Sequence, residues 1–439
     1  MDKDIQSMME TMGIGSIDTL FEDIPPKFKT PLNLPRGMEE WAAMEHVDAL
    51  LSKNVCIHPS RSFVGHGTYQ HHIPAIVKKI IGRGEFLTSY TPYQPEISQG
   101  MLQALYEYQS VTAELTGLPG TNSSMYDMAT AMAESALMAA RVNRKNRFLI
   151  PRALSKEKKQ VLSSYAVGAN LDIKEYPFDK ETGQIDLASL NSMADDEVAG
   201  VYVESPNLFG LFEENLHELR GMFPKALLVM GCDPLALSIM KTPAELDFDV
   251  AVANGQVLGN PPGFGGPQLG IFTCKDKFIR KMPGRVIGKT VDSQNRVSFC
   301  MTLQTREQHI RREKATSNIC TNNALCALAF TVHCAYLGGY GMTELAKKNM
   351  ESTKKWMDML SSVDGVKAPI FKGVYFNEFP FRLENAAEVL KRGEKSGVLL
   401  GVPLSRDLEE MDNVILTCST EVNTIEGMHA ATKVLGGGQ

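Results

Sequence analysis

The sequence of 439 residues lacks any C-x-x-C pair, although it contains eight cysteines. Paired cysteines at that spacing are the usual signature of a structural zinc site or a redox centre. Here the cysteines lie singly and mostly among apolar residues, which is typical of buried free thiols in a reducing compartment. The pattern therefore argues against zinc binding and thiol redox chemistry.

The sequence also lacks an uninterrupted apolar run of the ~18 residues that a membrane span needs. Its first residues, Met1-Asp-Lys-Asp-Ile, form neither a basic n-region nor an apolar h-region, so we expect no secretory signal. The formal net charge of −6 argues against nucleic acid or an anionic membrane as the main partner, because both attract basic surfaces. We expect a cytoplasmic protein.

No lysine is present between Lys241 and Lys275, and this gap contains the most distinctive stretch of the chain. The stretch begins as an apolar run at Asp249–Asn254, crosses a turn crowded with glycine and proline, and returns to an apolar run at Leu269–Thr273. That order predicts two strands joined by a loop whose backbone passes close to another group.

The pattern of apolar runs predicts three regions. Residues 1–55 form a helical arm with too few apolar residues to fold alone, so the arm must lie on another surface, which a partner chain can supply. In residues 56–320, strand-like runs alternate with helical ones, which predicts a large α/β domain with a mainly parallel sheet. Residues 321–439 are typical of a small α+β domain. The predicted parallel strands begin at Phe148, Ile173, Gly200, Ala226 and Phe248.

Polar residues follow three of these predicted strands. They are Glu204 with Pro206–Asn207, Asp233, and Asn254. Ligands of parallel sheets bind beyond the carboxyl ends of the strands, so we expect these side chains to meet at one candidate site. For Asp233 the alternative is an ordinary turn residue before proline.

A second candidate site is the start of the Ala- and Met-rich helix that follows Thr121–Ser124. Asn122 to Ser124 supply residues that cap helices, and the free N–H groups behind such a cap can hold a phosphate. The alternative is a capped core helix without a ligand.

Two turn-rich loops, Phe63–His72 and Tyr90–Glu96, are dense in tyrosine, histidine and glycine, and such loops seldom serve packing alone. No metal site is predicted, because no carboxylate stands at a matching offset and the side chains of His71 and His72 would point apart. The candidate site residues in the two loops are His66, Tyr69, Tyr90 and Tyr93.

A large α/β domain, a small α+β domain and an N-terminal arm are the layout of fold-type I pyridoxal-phosphate enzymes, the transferase-like class. Such enzymes need a lysine after a late strand, an acidic partner for the pyridinium nitrogen and a helix N-terminus for the phosphate. Within this class the chain resembles the P-proteins of the glycine cleavage system, and more closely the first (α) subunits of the two-subunit form. The matching stretches are Phe63–Tyr69, Thr91–Gly100, Gly255–Gly259, Phe264–Gly270 and Gln304–Asn322.

The resemblance implies an enzyme complex that decarboxylates glycine through pyridoxal phosphate. The aminomethyl group then passes to the lipoyl arm of the H-protein. In the catalytic β subunit of this family a His-Lys pair precedes a loop ending in Gly-Pro. Laying Gly265-Gly-Pro over that loop puts Gln256 at the lysine position and Gly255 at the histidine. A glutamine amide cannot form a Schiff base, and Lys275 and Lys277 follow after the second strand has begun. We expect no catalytic residue and no covalent cofactor in this chain.

The resemblance further implies a partner β subunit in an α2β2 assembly, which carries the pyridoxal phosphate at a site near the subunit interface. Ser123, Ser124 and Asp233 are then remnants of a cofactor site. His66, Tyr69, Tyr90 and Tyr93 become candidates for lining a substrate or lipoyl channel. Arg306 and His309, in the charge-dense segment Arg306–Lys314, become candidate interface residues, with a solvated helix face as the alternative.

Three alternatives stay open at this stage. The first is a self-sufficient fold-type I enzyme that uses a lysine elsewhere in the chain. The second is a scaffold that only stabilises the catalytic subunit. The third is a nicotinamide-binding enzyme, which is least favoured because no strand leads through G-x-G-x-x-G into a helix.

Overall fold

The computed structural model describes residues 3–30 and 33–436, which belong to two compact units, Met1–Cys56 and Ile57–Gln439. The helices are α1 (Lys3–Met12), α2 (Glu40–Leu51), α3 (Ala75–Ile81), α4 (Gly84–Leu87), α5 (Gln99–Thr116), α6 (Met128–Asn143), α7 (Lys156–Ala169), α8 (Leu187–Ser192), α9 (Leu219–Met222), α10 (Gln308–Arg311), α11 (Ala324–Ser361), α12 (Ala386–Lys395) and α13 (Ile425–Leu435). The strands are β1 (Gly120–Thr121), β2 (Arg147–Pro151), β3 (Asp172–Tyr176), β4 (Val198–Ser205), β5 (Leu227–Cys232), β6 (Val250–Asn254), β7 (Gly270–Cys274), β8 (Val286–Val291), β9 (Val297–Thr302), β10 (Glu378–Arg382), β11 (Val402–Pro403) and β12 (Val414–Cys418).

The first unit does not bury its own apolar side chains. Among its described residues only Met9 is buried, and helix α2 has no buried residue although it carries Trp41, Met44 and Val47. A single helix of this length is marginal in water without tertiary packing. The unit therefore needs a further surface on which to pack.

The second unit is built on a seven-stranded sheet in the order β1-β7-β6-β5-β4-β2-β3. The strands from β3 across to β6 are parallel, and at the other edge β7 pairs antiparallel with β6 and the short β1 pairs antiparallel with β7. Every residue of β4 and β5 is buried, as expected for strands covered on both faces. The predicted α/β fold with a mainly parallel sheet is confirmed, and each of the five predicted strands is present.

Two predicted helical segments differ from the structure. Helix α6 begins at Met128 with Asp127 as its cap, so Asn122–Ser124 lie in a loop before it. The charge-dense segment 306–314 contains only the four-residue α10 between short turns, and Arg312 breaks it with a positive φ of 53°.

Helix α11 joins two hydrophobic cores. Its first half contributes Ala327 and Phe330 to the core beside the seven-stranded sheet, and its second half contributes Trp356 and Leu360 to a second core. Its backbone breaks helical geometry at Gly338, where φ is 61°. By length and composition α11 could cross a membrane, with 44% of its apolar stretch buried, but its packing on α5 and the second core makes it a core helix.

The second core covers the antiparallel sheet β10-β12-β11 together with α12 and α13. Strand β10 pairs with β12 along its whole length, and Tyr375, just before β10, makes an isolated bridge to Leu211. The hairpin of β8 and β9, which packs on α5, was not predicted. The division of the chain at residues 55 and 320 stays a prediction.

Candidate functional site

A small cavity of about 70 Å³ lies where the parallel strands end. The predicted edge residues Glu204, Asn207, Asp233 and Asn254 all line it. The loop Phe63–His72 (the first loop), helix α7 and the start of β10 bring further side chains that are distant in sequence. These are His66, Tyr69, Lys158, Asn377 and Glu378. The predicted candidate site is therefore present, with contributors that strand-end reasoning missed.

Asp233 enters the cavity directly after β5. The backbone N–H groups of Leu235 and Ala236 donate to its Oδ1 atom over 2.8 and 3.1 Å, which is the turn geometry expected of aspartate before proline. Burial raises the pKa of Asp233, and these two hydrogen bonds offset only part of that effect.

Glu378 is a buried carboxylate at the start of β10 that ties the first loop to the cavity. It accepts hydrogen bonds from Tyr69 Oη at 2.7 Å and from the His66 backbone N–H at 2.5 Å. Burial raises the pKa of Glu378 and of Tyr69. The His66 ring turns away to Asp407, with 2.8 Å between Nε2 and Oδ2. Burial opposes charge on His66, but the hydrogen bond and charge of Asp407 outweigh it and raise the His66 pKa.

Lys158 brings an amine into the cavity that sequence reasoning did not identify. Its Nζ lies 2.5 Å from Glu204 Oε1, and Tyr202 Oη donates to the same oxygen at 2.5 Å. Lys158 lies in the first turn of α7, the helix that follows β2. A helix that follows a parallel strand begins at the carboxyl edge of the sheet, and this position could have identified Lys158 as a site residue from the sequence. An ammonium group held in an ion pair has no free electron pair for attack on a carbonyl.

Gln256, at the position where a lysine is expected, does not line the cavity. It is 1% exposed, and its Nε2 donates to the carbonyls of Tyr69 (2.9 Å) and Asn260 (2.8 Å). Its Oε1 accepts from the Tyr69 N–H at 2.9 Å. The neighbouring Gly255 leaves no room for a side chain, because a Cβ there would lie 2.6 Å from Leu269 Cδ2. Gln256 therefore fastens the first loop to the strand connection.

The expected phosphate position is closed by protein contacts. The backbone N–H and the Oγ of Ser123 both donate to the Arg285 carbonyl, at 2.8 and 3.2 Å. The Oγ of Ser124 accepts from the Asn323 N–H at 3.0 Å, and both serines are fully buried. The N-terminus of α6 is already capped by the Asp127 carboxylate, which would repel a phosphate.

The residues present do not fit pyridoxal phosphate. At 10–15 Å³ per water-sized group the cavity has room for roughly five to seven such groups, whereas the cofactor has about 16 non-hydrogen atoms. The lysine position faces away from the cavity, and the serines of the expected phosphate site are hydrogen-bonded elsewhere. That Ser123, Ser124 and Asp233 are remnants of a cofactor site stays a prediction.

The other predicted residues meet at a different place, around the buried Arg285. Its guanidinium donates to Tyr93 Oη at 3.1 Å, to the Cys320 carbonyl at 2.8 Å and to Thr321 Oγ1 at 3.1 Å. Glu307 lies 3.7 Å from Arg285 and 3.6 Å from His309. We call Arg285, Tyr93, Glu307 and His309 the Arg285 cluster.

Arg306 and Tyr90 are neighbours of the Arg285 cluster in the chain, since Arg306 precedes Glu307 and Tyr90 lies three residues before Tyr93. Arg306 donates to the carbonyls of Met282 and Gly284, so it binds backbone instead of presenting its charge to solvent. Burial lowers its pKa. Tyr90 is 75% exposed and Tyr93 56% exposed, so this part of the second unit has aromatic surface available.

His66, Glu157 and Asp407 place their ligand atoms within 4.8 Å of one another. The sequence argument had found no carboxylate at a suitable offset from His66, and here the fold supplies two from distant segments. Arg406 donates to Glu157, and His66 is paired with Asp407, so the group is an ion-pair network. The absence of a metal site stays a prediction. His71 and His72 differ as predicted, since His71 is buried against Glu421 and His72 is exposed.

Comparison with known proteins agrees with this picture. The family model of the glycine cleavage system P-protein matches residues 1–435. A relative from Thermococcus kodakarensis, named "Probable glycine dehydrogenase (decarboxylating) subunit 1", is 46% identical over 95% of this chain and 93% of its own length. A relative of the same name from Carboxydothermus hydrogenoformans is 42% identical over 99% and 98%.

Solved structures show the same relationship. The crystal structure of a glycine decarboxylase (P-protein) of the glycine cleavage system superimposes with a TM-score of 0.91 at 36% identity, covering 100% of this chain and 99% of that one. Glutamate decarboxylase of Lactobacillus brevis shares the fold alone, with a TM-score of 0.67 at 13% identity over 95% of this chain and 96% of its own. These likenesses confirm the fold-type I prediction, and the chain belongs to the glycine cleavage system P-protein family.

Proposed function

We propose that this chain is subunit 1 of a glycine dehydrogenase (decarboxylating), in which a partner β subunit carries the pyridoxal phosphate. The observation that carries the proposal is Gln256 at the lysine position of a chain that matches the P-protein family over residues 1–435. In the complex, the cofactor supplies the electron sink for glycine decarboxylation. The aminomethyl group then passes to the lipoyl group of the H-protein.

The cavity of this chain supports the assignment of the cofactor to the partner. Gln256 has no nucleophilic amine and its amide is committed to three backbone hydrogen bonds. Lys158, which does line the cavity, is paired with Glu204. A self-sufficient enzyme would need a free lysine amine at one of these two positions, beside a cavity large enough for the cofactor.

The exposed apolar side chains of the first unit support a partner chain, and we propose that the two chains form an α2β2 assembly. Helix α2 has no buried residue among its described positions, and Trp41 at its start is 66% exposed. Burial of such side chains against another subunit contributes about 1.5–3 kcal/mol each. The relatives' designation as subunit 1 implies a second subunit for them.

We assign the exposed Tyr93 of the Arg285 cluster, and Tyr90 three residues before it, to the surface that this chain presents to the partner's site. Arg285 holds the loop of Tyr93 against the segment of Cys320 and Thr321, so Tyr93 projects from a fixed base. Aromatic rings with a polar tip are well suited to contact a flexible lipoyl arm. His66 and Tyr69 lie instead at the internal cavity and are less suited to this role.

The test is reconstitution of the complex with Tyr90→Ala or Tyr93→Phe in this chain, measuring glycine-dependent CO2 release with lipoylated H-protein. We expect kcat/KM to fall about tenfold for Tyr90→Ala, which is about 1.4 kcal/mol of transition-state stabilisation. Tyr340→Ala is the matched control, because Tyr340 is 82% exposed on α11. Unchanged kinetics in both loop variants would overturn the assignment of this surface.

The alternative is a scaffold that only stabilises the β subunit. The same reconstitution distinguishes it, because a scaffold predicts that the β subunit alone, at matched fold stability, decarboxylates glycine at the rate of the complex. We propose a cytoplasmic location, with neither nucleic acid nor membrane as a partner, on the basis of the net charge of −6.

A further inference from the structure

The cavity of about 70 Å³ that is too small for pyridoxal phosphate still has a polar lining suited to a ligand. Its charged side chains are the carboxylates of Asp233, Glu204 and Glu378 and the amine of Lys158. A cavity that merely remained from a lost site would be expected to fill with apolar side chains, because buried charges destabilise unless they are paired. The presence of these charged side chains around the cavity therefore requires a chemical explanation.

The first indication of a ligand is a donor without a partner. Asn377 is 2% exposed and lines the cavity, and its Nδ2 atom has no hydrogen-bond partner among the described residues. Leaving a buried donor unsatisfied costs about 1–3 kcal/mol. Lys158, on the same cavity, uses its ammonium group toward Glu204 and retains further donor capacity. Together these two side chains can receive a carboxylate.

The second indication is acceptor capacity on the same cavity. Both hydrogen bonds shown at Asp233 go to Oδ1, so its Oδ2 remains for a ligand donor. The Glu378 carboxylate receives two hydrogen bonds but no ion pair from the described residues. Burial raises the pKa of both carboxyl groups, which is the effect of desolvation without sufficient compensating positive charge.

The size of the cavity sets the size of the ligand. Room for roughly five to seven water-sized groups corresponds to a molecule of about five or six non-hydrogen atoms. A simple cation would leave Asn377 unmatched and meet the charge of Lys158. A simple anion would meet three carboxylates. Of these three charge types, a small zwitterion is the one that pairs with both kinds of group.

We propose that this cavity is a binding site for a small α-amino acid of glycine size. The ligand carboxylate lies toward Asn377 Nδ2 and Lys158, and its ammonium group lies toward Asp233 and Glu378. The site is built entirely within this chain and requires neither the cofactor nor a partner subunit. The inference therefore stands apart from the role proposed for the chain in turnover.

The experiment is titration calorimetry of the full chain alone, without pyridoxal phosphate, using glycine, acetate, methylamine and leucine as separate probes. We expect saturable binding of glycine with a dissociation constant below about 10 mM, and no saturable binding of the other three. Acetate and methylamine each carry half of the recognised charges, and leucine exceeds the cavity. No glycine binding at about 50 mM, or equal binding of acetate or methylamine, would overturn the proposal.

Two variants distinguish a loss of glycine binding from a loss of folding. Asn377→Leu removes the amide whose Nδ2 has no partner in the described structure, so we expect a folded chain that binds glycine at least tenfold more weakly. Asp233→Asn removes the charge facing the ammonium group and should weaken binding by a similar factor. A folded Asn377→Leu chain that binds glycine with wild-type affinity would refute the site. Failure of glycine binding leaves the decarboxylation assay of the reconstituted complex unaffected, so the two proposals fail separately.

Discussion

Replacing Gln256 by methionine tests whether the residue at the lysine position now has a structural role. Methionine keeps the length and nearly the volume of glutamine but cannot form its three hydrogen bonds. The change strands the Tyr69 N–H and removes donors from the carbonyls of Tyr69 and Asn260. At about 1 kcal/mol for each hydrogen bond, we expect the free energy of unfolding to fall by about 3 kcal/mol.

The assay is thermal unfolding of the purified chain followed by circular dichroism. For the 383 residues of the second unit, Ile57–Gln439, an unfolding entropy of about 2 cal/mol/K per residue converts 3 kcal/mol into a lowering of the midpoint by about 4 °C. The matched control is Gln103→Met on the exposed face of α5, where the only side-chain bond shown is to Glu107 and the midpoint should change by less than about 1 °C.

The refuting result is a Gln256→Met midpoint within about 1 °C of wild type. That outcome would mean that Gln256 does not fasten the first loop, and that the loop is held by its other contacts, such as the Glu378 bonds to His66 and Tyr69. A destabilised variant that also lost glycine binding would place the loop among the elements that shape the cavity.

Further predictions follow from the same geometry. Gln256→Lys should not create a cofactor site, since its side chain faces the Tyr69 and Asn260 carbonyls; a visible absorption band with pyridoxal phosphate that borohydride abolishes would contradict this. Glu421→Gln should lower the free energy of unfolding by about 3 kcal/mol near pH 5.5, because it breaks a buried pair with His71. Burial opposes both charges, but their mutual attraction outweighs it, lowering the Glu421 pKa to about 2 and raising the His71 pKa. The stability that Glu421 contributes is present above its unfolded pKa of about 4.3 and is lost as pH falls toward 2. The stability that His71 contributes is present below its unfolded pKa of about 6.5 and is lost as pH rises through its folded pKa. The wild-type advantage in urea unfolding should therefore shrink at both extremes, and a pH-independent difference would contradict the pairing. Arg285→Lys should make limited proteolysis within residues 304–322 about tenfold faster, because lysine cannot span Tyr93, Thr321 and the Cys320 carbonyl at once; an unchanged cleavage pattern would contradict this.

Local sequence signals predicted most of the second unit because they depend on neighbouring residues. The alternation of strand and helix periodicities located β2 to β6, and the end of each strand identified Glu204, Asp233 and Asn254 as members of one site. The errors in the prediction lay at positions whose structure depends on contacts with distant residues. Asp127, rather than Asn122–Ser124, caps α6, because the serines are used by Arg285 and Asn323.

By itself the sequence determined that the chain has an α/β fold, that it belongs to the P-protein family and that it has glutamine where a lysine is expected. Those properties reside in short-range periodicity and residue identity. Only the tertiary structure decided what Gln256 does, because two of its three hydrogen bonds go to Tyr69, in a loop 187 residues away. The same holds for the cavity, where Lys158 meets Asn377 and Glu378 from a segment more than two hundred residues further along the chain. Long-range packing, unlike periodicity, leaves no local pattern from which it can be read.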